Sequence, residues 1–149
     1  MTDPANSSFT SIDQYLESSL DTVESTENRV LELAQQCGLP EEDAYQLGYA
    51  VREAVVNAVV HGNRYSANKK VHLLIRKQGS TLEIVVEDEG QGFDEQKQGD
   101  PLAEENLLAQ SGRGLMIIRA FVDEVDIVRT EAGGTRVAMR KHLPATDAV

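Results

Sequence analysis

Glu53, Asn57 and His61 stand four residues apart in the stretch E-A-V-V-N-A-V-V-H-G, and Asp88, Gly90 and Gly92 follow in D-E-G-Q-G-F-D. A helix turns about 100° per residue, so the first three residues form one polar stripe. That stripe borders an apolar face made by Leu47, Val51, Ala54, Val55 and Ala58. A carboxylate, an amide and an imidazole held at the edge of a core-facing surface are poorly hydrated and geometrically fixed, as a metal-and-phosphate site requires. Glu53 is the candidate general base, because a serine hydroxyl or a water becomes an effective nucleophile when a carboxylate accepts its proton. Asn57 offers a carbonyl oxygen suited to Mg²⁺, a hard cation that also takes phosphate oxygens and waters. The plain reading of both residues is a solvated or capping side chain. For His61 the plain reading is preferred, since a histidine near a helix C-terminus is favoured by the helix dipole alone.

Three further clusters carry weaker signals. Asp88 at the end of an apolar run offers an acceptor for an exocyclic amino group, and Gly90 and Gly92 leave backbone room for a purine plane. Taken singly, D-x-G-x-G is also an ordinary turn sequence. Gly112-Arg113-Gly114 ahead of Leu115 exposes backbone N–H groups at a positive helix end, a ready anion site that a tight loop would resemble. Gly133-Gly134-Thr135 reads as a two-residue hairpin turn with Thr135 opening a strand. Zinc-like spacing is missing among His61, His72 and His142, and no serine lies in G-x-S-x-G. Neither G-x-x-x-x-G-K-[ST] nor a G-x-G-x-x-G opening a helix occurs, so a nucleotide would have to be held on another kind of fold.

The elements that position these residues follow from pattern and punctuation. Phe9 to Leu20 mixes β-branched, aromatic and polar residues and supplies a first strand, after a polar Met1 to Ser8 that frays. An amphipathic helix runs from Thr22 to about Cys37, where Gly38 and Pro40 stop it. Pro40 and the acids Glu41, Glu42 and Asp43 open a second helix that reaches about His61, with Gly62 in the left-handed conformation closing it. Alternation at Val71, Leu73 and Ile75, a turn at Gly79-Ser80, and alternation at Leu82, Ile84 and Val86 make a β-hairpin that delivers Asp88 into its loop. Gln96 to Ser111, rich in Gly, Pro and polar residues, reads as a mobile connection that closes over the phosphates. A buried helix from Leu115 to Phe121 and two strands, Val125 to Thr130 and Thr135 to Lys141, complete the order. Antiparallel hairpins with helices gathered on one face specify an α+β, two-layer α/β sandwich with a mixed, mostly antiparallel sheet.

Whole-chain numbers set the limits. At 149 residues and 40% hydrophobic content the chain is the size of one domain, spanning 1–149 with a core at about 21–141. A formal net charge of −11 argues against a surface that tracks nucleic-acid phosphates. Cys37 is the single cysteine, which excludes an intrachain disulfide and points to a reducing compartment. Neither a leader-like start nor a run of membrane-spanning length is visible, so a soluble, cytoplasmic protein with no membrane contact is expected.

Taken in order, E-x-x-x-N-A-x-x-H-G at Glu53 to Gly62, D-x-G-x-G at Asp88 to Gly92, G-x-G-L at Gly112 to Leu115 and G-G-T at Gly133 to Thr135 resemble the GHKL ATPases. Within them the chain resembles the anti-sigma-factor serine kinases over roughly Asp21 to Lys141. The resemblance implies a Bergerat ATP-binding fold, with ATP and Mg²⁺ as ligands. It implies Glu53 as catalytic base, Asn57 as Mg²⁺ ligand and Asp88 as acceptor of the adenine amino group. Gly90 and Gly92 match the adenine-facing loop, Gly112 and Gly114, with Arg113 and Leu115, the phosphate cradle, and Thr135 the threonine near the adenine. It further implies a homodimer that sequesters a sigma factor and phosphorylates a serine of an anti-sigma-factor antagonist. Two other functions fit the same residues: a non-catalytic, nucleotide-dependent binding module, and an ATPase that hydrolyses without transfer. A stand-alone domain is expected, without the helical segment carrying a phospho-accepting histidine of a histidine kinase or the coupled second domain of a gyrase-like enzyme.

Overall fold

The computed structural model describes residues 11–90 and 113–144. Strand β1 (Ile12–Glu17) leads into helix α1 (Leu20–Gln36), which starts two residues before the expected Thr22 because Ser19 caps it, its Oγ accepting from the Thr22 N–H at 3.4 Å. Gly38, at φ +89°, ends that helix as expected. Helix α2 (Glu41–Val56) follows Pro40 with three acids in its first turn and no side-chain cap, so the dipole contribution of those acids replaces a capping hydrogen bond.

The second helix does reach Gly62, but not as a regular α-helix. From Asn57 to Gly62 the chain widens into a π-helical turn, with the Asn63 N–H donating to Ala58 O, five residues back, at 2.8 Å. Nor does Gly62 supply the left-handed exit. Arg64 and Tyr65 do, at φ +49° and +58°, an arrangement that non-glycine residues adopt at a cost of about 1 kcal/mol or more each.

Strands β2 (Lys70–Gln78) and β3 (Thr81–Glu87) form the expected hairpin through Gly79 at φ +58°, and α3 (Gly114–Phe121), β4 (Glu124–Arg129) and β5 (Thr135–His142) complete the described chain. The five strands lie in the order β1-β2-β3-β5-β4, and all four described pairings are antiparallel. Because β5 returns between β3 and β4, Glu87 pairs with Arg136. This register sets the end of β3, and with it Asp88, beside the start of β5.

Strict alternation explains the layering. Val71, Leu73, Ile75, Leu82, Ile84 and Met139 are buried on one sheet face against Leu47, Val51 and Val55 of α2 and Val30 of α1. Each such side chain contributes about 1.5–3 kcal/mol on burial. The opposite face carries a charged ladder in which Glu83 accepts from Arg76 at 2.6 Å and Arg140 at 3.1 Å, and Arg140 also reaches Asp126 at 2.9 Å. At that exposed face the ladder adds little stability.

Candidate functional site

Glu53 on α2 and Asn57 at the first position of the π-helical turn are both half-buried, and the amino end of α3 is seated on them. A methyl group added at Gly114 would lie 3.0 Å from Glu53 Oε2 and 3.4 Å from Asn57 Nδ2. A side chain at this position would press on the Glu53 carboxylate, so glycine allows the approach without displacing it. Two features hold it there: Leu115 and Ile118 are buried under α3, and Phe121 meets Tyr49 of α2 edge to face with ring centroids 6.0 Å apart. Among the described residues no side chain caps α3, whose first-turn N–H groups lie beside the exposed Arg113 and are of the kind that bind an anion. Glu53, Asn57, Arg113, Gly114 and Leu115 therefore form one cluster. His61 lies further along the turn and is exposed.

The second cluster surrounds Asp88, which follows β3 and is only 7% exposed. Its backbone N–H donates to Thr135 O at 3.0 Å, and its Oδ1 accepts the Thr135 N–H at 3.2 Å. Burial strips water from the carboxylate and pushes its pKa up to about 6, against the lowering effect of N–H donors from Thr135 and Gly90. The remaining acceptor capacity of this carboxylate suits a donor such as a purine amino group. Three glycines make the fit possible by lacking a side chain. A methyl at Gly62 would overlap the Asp88 carboxyl group, one at Gly90 would overlap Gly133 O, and one at Gly134 would overlap Asp88 O. Gly62 is thus glycine because Asp88 occupies the space of its side chain, not because of its backbone angle. Gly134, read from sequence as half of a two-residue turn, belongs to a five-residue connection, 130–134, closed by Thr130 N–H to Gly134 O and Gly133 N–H to Thr130 O, each 3.0 Å.

Asn57 and Glu53 present oxygen atoms of the kind Mg²⁺ prefers, with phosphate oxygens and waters needed to complete its shell. Among the described residues no group of three or more His, Cys, Asp or Glu is placed to hold a metal by protein ligands alone. Gly92, Gly112 and the expected lid at Gln96 to Ser111 lie outside the described residues. Sequence reasoning missed Asn63, which is buried and accepts from the Glu89 and Gly90 N–H groups; an Asn after a helix-ending His-Gly reads as an ordinary turn residue, and no spacing signals more.

A family model described as a histidine kinase-like ATPase domain matches residues 16–141. An anti-sigma F factor of Bacillus thuringiensis is 31% identical over 112 residues, covering 72% of this chain and 75% of that protein, and one of Bacillus mycoides matches equally. In three dimensions the chain is similar to the RsbU and RsbW domains of a Mycobacterium tuberculosis protein, with a TM-score of 0.66 and 21% identity. That likeness covers 95% of this chain but only 35% of the longer one. The catalytic domain of the histidine kinase ThkA superposes with a TM-score of 0.52 at 13% identity, over 91% of this chain and 98% of that one.

Proposed function

The chain belongs to the histidine kinase-like ATPase family, within the GHKL superfamily and its anti-sigma-factor kinase branch, and from that premise we propose that it is an ATP-dependent protein serine kinase that also sequesters a sigma factor. The observation that supports this reading is the seating of Gly114 on Glu53 and Asn57, which sets a carboxylate, a carboxamide and the amino end of α3 side by side. Asp88, held by the Thr135 N–H and by close packing against Gly62 and Gly134, accepts the amino N–H of adenine. The amino end of α3 and Arg113 meet the phosphates. Asn57 would hold Mg²⁺, which would supply charge neutralisation to the phosphate oxygens.

Glu53 then acts on the acceptor. Its carboxylate takes the proton of the serine hydroxyl as the oxygen bonds to the γ-phosphorus, while the bond from that phosphorus to the bridging oxygen breaks and ADP leaves with the electron pair. The acceptor in this reading is an antagonist protein that displaces the sigma factor until it is phosphorylated, and the kinase works as a cytoplasmic homodimer. Direct nucleic-acid contact forms no part of this function, in keeping with the net charge of −11. Among the described residues no helix is long and apolar enough to cross a membrane.

Incubation with Mg-ATP and the antagonist, followed by mass spectrometry of the antagonist, tests the proposal. One phosphate on a serine is the expected product. Nucleotide-dependent binding without any phosphorylated residue would instead identify a non-catalytic module, and phosphate released without acceptor labelling a simple ATPase.

A further inference from the structure

We propose that Asn63 is a positioning residue for nucleotide selection: its side-chain amide fixes the loop that carries Asp88 and so sets both the affinity for adenine and the preference for it over guanine. The inference rests on the adenine site proposed above and assigns within it a role to a residue outside the family motifs.

Asn63 is 1% exposed and uses both ends of its amide. Oδ1 accepts from the Glu89 N–H at 2.9 Å and the Gly90 N–H at 3.2 Å. Nδ2 donates to Ser18 Oγ and to Lys70 O, each at 3.0 Å. Both amide hydrogens and both lone pairs therefore have partners. The group that holds the Asp88 loop is itself oriented by the segment after β1 and the start of β2, and Ser18 is oriented in turn by donating to Lys69 O at 2.5 Å. Two neighbouring contacts close the same seam: Lys69 Nζ donates to Gly90 O, and Glu89 Oε2 accepts from the Lys70 N–H at 2.6 Å.

The backbone gives independent support. Asn63 is delivered by the π-helical turn through its N–H bond to Ala58 O, and the chain leaves it through two consecutive left-handed residues, Arg64 and Tyr65. Such a conformation persists where surrounding structure requires it. Here the requirement is an amide aimed at Glu89 and Gly90. With Asn63 shortened, two loop N–H groups lose their acceptor, and Asp88 is free to drift from the adenine edge.

The test compares the wild-type chain with Asn63→Ala at a temperature where circular dichroism shows both folded. ADP affinity is expected to fall about tenfold or more, and the preference for ATP over GTP to shrink by a similar factor. In the transfer assay KM for ATP rises while kcat at saturating ATP stays at the wild-type value. A purely structural role predicts the opposite split, with a smaller active fraction lowering kcat and with KM and base preference unchanged; that result overturns the proposal. If Asn63→Ala does not fold, Ser18→Ala decides the matter, because it removes one partner of Nδ2 while leaving Asn63 in place. It should raise KM about threefold with the same loss of base preference, and unchanged values overturn the assignment. A wild-type chain that binds no adenine nucleotide would defeat the adenine site and this inference together, whereas normal wild-type binding with unaffected variants defeats the inference alone.

Discussion

Replacing Asp88 by Asn should stabilise the nucleotide-free protein while weakening its hold on ATP, and the size of the first effect can be worked out. The carboxyl pKa rises from 3.8 to about 6 on folding, mainly through burial. A raised acid pKa means that the folded state binds the proton more tightly than the unfolded chain. Keeping Asp88 ionised in the fold therefore costs about 3 kcal/mol above pH 6, and the cost disappears as the pH falls below the unfolded value. At about pH 5 the folded carboxyl is mostly protonated, and on the order of 1 kcal/mol of that cost has been relieved. Asn does not titrate, so whatever its amide gains or loses in contacts is the same at both pH values. Denaturant unfolding of both proteins without nucleotide, at about pH 7.5 and about pH 5, isolates the charge. The stability of Asp88→Asn relative to wild type should be greater at the higher pH by on the order of 1 kcal/mol. A difference that is independent of pH, or larger at the lower pH, would refute the reasoning. Nucleotide binding responds in the other direction, because the ionised carboxylate is the better acceptor: ADP affinity of wild type should be full above pH 6 and fall about tenfold per unit below it.

Further outcomes follow from the same geometry. Asn57→Ala should lower ADP affinity measured with Mg²⁺ to the value measured in EDTA, and a persistent Mg²⁺ enhancement by calorimetry would remove Asn57 from the metal site. Gly62→Ala adds a methyl where the Asp88 carboxyl sits, so it should cost about 1–3 kcal/mol in denaturant unfolding and also depress ADP affinity. Gly38→Ala is its counterpart: open space surrounds Gly38 at φ +89°, so backbone strain lowers stability while ADP affinity is unchanged.

The layering was legible in sequence because one physical signal, alternation or helical periodicity of apolar residues, controls it. Val71-Leu73-Ile75 and Leu82-Ile84-Val86 announce two strands with one buried face, and those residues are the buried ones. The pairing of Glu53 and Asn57 was legible for the same reason, since a fixed rise and turn place residues four apart together. What lay beyond reach depends on contacts between distant segments. Nothing local marks the return of β5 between β3 and β4, yet that topology brings Thr135 to Asp88 and packs Gly134 against the Asp88 backbone. The π-helical widening at Asn57 has no composition signature; Ala-Val-Val-His continues an α-helical pattern, and tertiary hydrogen bonding at Asn63 decides otherwise. Gly62 shows how a correct residue type can be given the wrong cause, because glycine marks both a left-handed backbone and a missing side chain.

Single-turnover transfer of the γ-phosphoryl group of ATP to the antagonist, by wild type and by Glu53→Gln, tests the central claim most directly. Gln keeps the shape and hydrogen-bonding capacity of Glu53 but cannot take the serine proton, so ADP affinity should be unchanged and transfer should slow by about 10² to 10⁴. Transfer by Glu53→Gln at the wild-type rate would contradict the account and place the proton acceptor elsewhere.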